Sequence, residues 1–222
     1  MGAKKINFAA MPRVAVRIVI APAEFFHKIP KKGGFLEPLA FAGVAGFAAS
    51  IIHAIWSFLG FGYGGQAQSG WAWILLSIII IPIILAICSF IGAAIAFLIW
   101  KLMGSRQGYK VSYRCMAYLM ALAPLIATIE IIPYAGMVLS FAIVTFYMVV
   151  VSKEVHGISV LKSLTVFGII CLSLTMLSLH SEYTERNPTP DQVRKAAEET
   201  TKQYHQNIDE IRKQAERNRY TK

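Results

Sequence analysis

Charge is what most of this chain lacks. From Pro38 to Trp100 there is no Asp, Glu, Lys or Arg, Cys115 to Ser152 contains only Glu130, and Ser163 to His180 contains none. A soluble domain with this much apolar surface needs charges to solvate its outside, so the gaps exclude an ordinary soluble fold. Acidic residues are scarce overall, 12 against 22 Lys and Arg. Cysteine is limited to Cys88, Cys115 and Cys171. An odd count, with two of the three inside apolar runs, excludes a disulfide framework, and the spacing offers no metal-ligand pattern. Ile6 stands where a myristoylation pattern needs Ser or Thr. About 35 residues including Pro12, Pro22 and Pro30 precede the first apolar run, which does not read as a cleavable signal peptide. No nucleophile with a nearby base, phosphate-binding glycine loop or paired carboxylate is present. An enzyme is therefore not expected, and no cofactor or metal is expected either.

What is present is apolar length. Of 222 residues, 56% are hydrophobic, and the mean hydropathy is +0.54. The hydrocarbon core of a bilayer is roughly 30 Å thick and takes about 20 apolar helical residues. The pattern predicts an all-α integral membrane protein with five spans, at about 38–59, 71–100, 114–130, 134–152 and 163–180. The second run begins at Trp71 and Trp73, contains the potential kink Pro82, and ends at Trp100 and Lys101. The uncharged run from Cys115 to Ser152, as one helix, would be about 57 Å long at 1.5 Å per residue, far beyond a bilayer. A helical hairpin with Pro133 and Gly136 in its turn resolves this. Residues 1–34 read as a cytoplasmic segment with a short interfacial helix, Arg13 and Arg17 toward head groups and Val14, Ile18 and Ala21 toward acyl chains. Phe25 and Phe26 are expected at the same depth.

The basic residues set the orientation. Before Ser181 there are thirteen basic and four acidic residues. Seven of the thirteen precede the first span, four lie between spans two and three, and two lie between spans four and five. The other two connections contain no Lys or Arg, so every membrane-proximal cation falls on one side. The positive-inside rule makes that side cytoplasmic and puts the carboxyl terminus outside the cytoplasm. Arg13, Arg17, Lys31, Lys32, Arg106, Lys110 and Arg114 are the expected head-group contacts, with anionic lipid as partner. Nucleic acid is not expected, because no basic and aromatic stripe lies on a soluble element.

The tail, residues 181–222, carries nine basic and eight acidic residues. Thr189, Pro190 and Gln192 read as a capping box opening an extramembrane helix. Ala197, Tyr204, Ile211 and Thr201, Ile208, Ala215 fall at heptad a and d spacing, a thin stripe that reads as a solvated face or as a self-association seam. In the first span, Gly43 and Gly46 with Ala42, Ala49 and Ser50 form a small-residue face for close helix packing, within the chain or between copies. A homo-oligomer is expected.

Four stretches carry a family resemblance: PAEFFHKIPKKGGFLEPL from Pro22, YKVSYRCMAYLMALAP from Tyr109, IPYAGM from Ile132 and KEVHGIS from Lys153. In this order and spacing the chain resembles the Yip domain family, named for proteins that interact with Ypt/Rab GTPases. The resemblance covers about residues 20–180 and implies a five-span fold with a cytoplasmic amino terminus. Eukaryotic members carry a soluble amino-terminal region and a D-L-Y-G-P-like membrane motif, neither of which is in this sequence. That points away from GTPase binding and toward the prokaryotic branch, hence a bacterial inner membrane. The resemblance marks Pro124, Pro133, Gly136, Glu154, His156 and Gly157 as turn and loop positions.

Two residues stand out within apolar surroundings. Glu130 is the only carboxylate between Cys115 and Ser152, and His53 lies within the first span. An ionisable residue in a span is costly and marks a functional candidate. Glu130 also reads as a solvated or hairpin-capping residue, and His53 as an interhelical hydrogen bonder. Glu154-x-His156 has metal-ligand spacing but no further ligand in sequence. The expected function is a non-enzymatic scaffold or adaptor organising lipid or membrane-protein partners. The alternative is an oligomeric channel or transporter with His53 and Glu130 beside its pathway.

Overall fold

The computed structural model describes residues 7–30, 33–61 and 71–220. The described chain is helical: α1 Met11–Ile20, α2 Pro22–His27, α3 Leu36–Phe58, α4 Trp71–Leu102, α5 Tyr109–Leu119, α6 Ala123–Ile129, α7 Ala135–Glu154, α8 Val160–Arg186 and α9 Pro190–Tyr220. Five segments are long and apolar enough to cross a membrane: Leu36–Phe58, Ile78–Leu102, Tyr109–Ile129, Ala135–Glu154 and Val160–Arg186. The chain forms two compact units, Met1–Leu179 and His180–Lys222.

Local chemistry explains the joints. Pro124 has no N–H to offer the Met120 carbonyl, so the third span tightens into a 3-10 turn over Met120–Leu122 and resumes as α6. Pro124 therefore lies inside a span, between two helical pieces, and not in a turn between spans. The hairpin turn after α6 has Tyr134 at φ +57°, in left-handed backbone. Gly136 then has no substitute. A Cβ there would collide with the Ile129 carbonyl and stand 2.8 Å from Glu130 Cα. After α4, Gly104 takes φ +99° while Ser105 N–H bonds the Trp100 carbonyl and Gly104 N–H the Lys101 carbonyl. This is a Schellman ending.

The small-residue face of α3 is used within the chain. Ala42, Ala45, Gly46, Ala49 and Ser50 are buried, and a Cβ on Gly46 would sit 3.3 Å from Leu85 and 3.5 Å from the Pro82 backbone of α4. Gly43 faces open space, with nothing within 4 Å of a Cβ. Only Gly46 of the two glycines sets a close helix approach here.

The amino-terminal helices belong to the core. Ile18 and Phe26 are fully buried among Phe41, Trp100, Leu122 and Val151. Ile18 and Phe26 therefore pack inside the bundle, not toward acyl chains or at the lipid interface, and Phe25 packs edge-on to Tyr118 at 5.3 Å. Tyr147 of α7 donates its hydroxyl to the Val19 carbonyl at 2.8 Å, and His27 Nδ1 meets Glu154 Oε2 at 3.0 Å. In the second unit, Thr189 and Gln192 form the reciprocal capping box: Thr189 N–H donates to Gln192 Oε1 at 2.7 Å, and Gln192 N–H to Thr189 Oγ1 at 3.4 Å.

Candidate functional site

His53 and Glu130, 77 positions apart in the sequence, line the same cavity. It has a volume of about 400 Å³ and lies among α3, α4, the third span and α7. Every other lining residue is apolar, with Met116, Met120 and Met148 prominent. His53 arrives from the α3 face that also carries Ala49. Glu130 caps the end of α6, where the chain turns into the hairpin. Burial raises the Glu130 carboxyl above its ordinary value, and the Ser140 hydroxyl of α7 pulls the other way. An apolar cavity favours the neutral acid because the carboxylate loses its hydration there. The volume falls in the usual range for small-molecule sites, roughly 300–1,000 Å³. Three flexible Met side chains let such a wall adapt to an irregular occupant.

A second polar group closes the other end of the bundle. Trp100 is fully buried and donates its indole N–H to Ser152 Oγ at 2.8 Å. Ser152 in turn donates to the Met148 carbonyl at 2.6 Å. The His156 ring stacks on Trp100 with centroids 4.0 Å apart, and its Nδ1 meets Ser105 Oγ at 2.7 Å. Lys162 Nζ donates to the Met103 carbonyl at 2.8 Å. Gly157, at φ +67°, turns the chain between α7 and α8. Glu154 and His156 therefore serve different contacts, the first toward His27 and the second toward Trp100. Among the described residues, no three His, Cys, Asp or Glu side chains converge as metal ligands. Trp100 lies at the end of α4 as the sequence suggests, and its buried ring is the floor on which His156 rests. The motif KEVHGIS contained that signal, but its partner lies 56 residues upstream.

The basic residues divide. Arg13, Arg17, Arg106 and Lys110 are exposed. Lys31 and Lys32 lie outside the described residues. Arg114 departs from the expected head-group role. The third span begins at Tyr109, five residues earlier than expected, which carries Arg114 into the helix and leaves it only 4% exposed. Its Nη1 donates to the Gly34 carbonyl at 3.4 Å. Pro133 lies in the hairpin turn, and Gly136 in the first turn of α7.

The model of the Yip1 domain family matches residues 16–181. No curated protein and no solved structure matches the chain.

Proposed function

Since the chain belongs to the Yip1 domain family, we propose that this integral, multi-pass membrane protein works without catalysis, as a scaffold organising anionic lipid and membrane-protein partners at one face of the bilayer. One observation carries the reading. The helix α1 presents Arg13 and Arg17 outward and Lys28, paired with Glu24, stands just past α2, yet Ile18 and Phe26 are fully buried in the bundle core. A head-group surface is thus joined rigidly to the spans instead of hanging from a linker. Exposed Val16, Val19 and Ile20 on α1 suit the acyl boundary beside those cations. Each Lys or Arg near an anionic surface contributes about 1 kcal/mol.

In this reading the end where the cations cluster is cytoplasmic, as the positive-inside rule supports, the carboxyl terminus lies on the other side, and the membrane is a bacterial inner membrane. Self-association, in this reading, runs through the polar tail helix α9, because the small-residue face of α3 is already covered by α4.

A transport reading is favoured by one observation, the shared cavity of His53 and Glu130. Ion and small-solute flux from proteoliposomes separates the two. The scaffold reading expects the leak rate of empty vesicles. Flux above that rate, lost in His53→Ala or Glu130→Gln, overturns it.

A further inference from the structure

Arg114 is a permanently charged group buried inside the protein and, among the described residues, in no ion pair. It is 4% exposed. Its Nε is buried and, among the described residues, has no hydrogen-bond partner. Its one backbone contact, to the Gly34 carbonyl, is 3.4 Å long, weak by the usual N–H···O range of 2.7–3.2 Å. Tyr118, one turn on, lies within reach of the guanidinium, and Glu37 influences that same phenol. A neutral carbonyl and a phenol are poor compensation for a buried cation, which normally requires pairing.

The cover over this cation is minimal. Gly33 and Gly34 are both exposed, and a Cβ on Gly33 would collide with Arg114 Nη1. Only a side-chain-free backbone fits there. Lys110 lies one helical turn nearer the start of α5 on the same face, exposed, with Nζ 5.7 Å from the Phe35 ring centre. The guanidinium thus lies against a glycine backbone, with the exposed Lys110 one helical turn away.

We propose that Arg114 and Lys110 form a site for a phosphate-ester oxyanion, which takes the place of the Gly34 carbonyl on the guanidinium. Arg suits this chemistry because its planar fork meets two phosphate oxygens at once. The site lies in the first turns of the third span, next to the cluster of Lys101, Arg106 and Lys110, where a phospholipid head group or a free phosphate offers the same oxyanion. The inference deepens the lipid-organising reading and rests on it.

The test is native mass spectrometry of the full chain in detergent, titrated separately with phosphatidylglycerol, diacylglycerol and inorganic phosphate. Diacylglycerol keeps the tails and lacks the phosphate. The parent is expected to bind phosphatidylglycerol at least about tenfold more tightly than diacylglycerol, as charge-assisted contacts imply. Arg114→Lys keeps the charge and loses the fork, so most of that preference is expected to disappear. Lys110→Gln alters an exposed side chain, leaves the fold intact and is expected to weaken binding about threefold or more. It decides the matter if Arg114→Lys does not fold. Displacement of the lipid by inorganic phosphate assigns the site to free phosphate, and its failure to compete assigns it to the lipid head group; either outcome requires the Arg114 dependence. An unchanged preference in both variants overturns the site while leaving the lipid-organising reading intact. A parent without any preference for the phospholipid removes both.

Discussion

His156 rests on Trp100, ring centroids 4.0 Å apart and planes within 21°. Trp100 in turn is tied by its N–H to Ser152, four residues before His156. The loop between the fourth and fifth spans is therefore clasped to the end of the second. Trp100→Phe loses the hydrogen bond, worth about 1 kcal/mol, and also leaves part of a fully buried ring's volume empty, so it is expected to cost more than that bond alone. His156→Ala removes both the stack and the Ser105 contact and is expected to destabilise as well. Thermal unfolding in detergent measures both. Equal stability of His156→Ala and the parent would contradict the clasp.

Glu130 gives a pH dependence with a definite sign. Burial raises its carboxyl in the folded protein. The folded state therefore holds the proton more tightly than the unfolded chain. The stabilising contribution is full below the unfolded value and is lost as pH rises through the folded one. Glu130→Gln is expected to flatten the stability profile above the ordinary carboxylate range and to be at least as stable as the parent at neutral pH. Unfolding midpoints across pH 4 to 8 check this; a variant that follows the parent's slope removes Glu130 as its source.

The two glycines of α3 are expected to differ. Gly46→Leu forces a side chain against Leu85 and the Pro82 backbone, and overpacking of this kind costs about 1–3 kcal/mol. Gly43→Leu meets open space within the chain, and a substitution of that sort stays within about 0.5 kcal/mol. The subunit count of Gly43→Leu, by mass in nanodiscs, adds a second reading. An oligomer lost in Gly43→Leu and kept without residues 188–222 places the contact in the spans and contradicts the tail assignment.

Orientation follows from the cation clusters. Asp191→Cys, at the start of α9, is expected to react with a membrane-impermeant thiol reagent applied to intact cells, once Cys88, Cys115 and Cys171 are replaced. Labelling only after lysis would put the tail in the cytoplasm.

Much of the fold could be read from charge gaps alone, because long uncharged runs have few destinations. The five spans, the hairpin at Pro133 and the capping box at Thr189 all rest on local signals. Misreadings arose where tertiary packing overrode local character. Arg114 reads as an interfacial cation until the third helix is seen to begin at Tyr109, which turns it inward. Phe26 reads as an interfacial residue, yet it fills the core. The sequence offered His53 and Glu130 together only as an alternative, since nothing in a 77-residue separation says which faces meet; the structure puts both on one cavity.

The central claim is that the protein gathers anionic lipid through cations fixed to its bundle. Extraction into polymer nanodiscs without detergent, followed by lipid mass analysis, tests it most directly. The account predicts a higher anionic fraction in the discs than in the parent membrane, falling toward the bulk value when Arg13, Arg17 and Lys28 are replaced by Gln. A composition equal to the bulk membrane in the parent protein would contradict it.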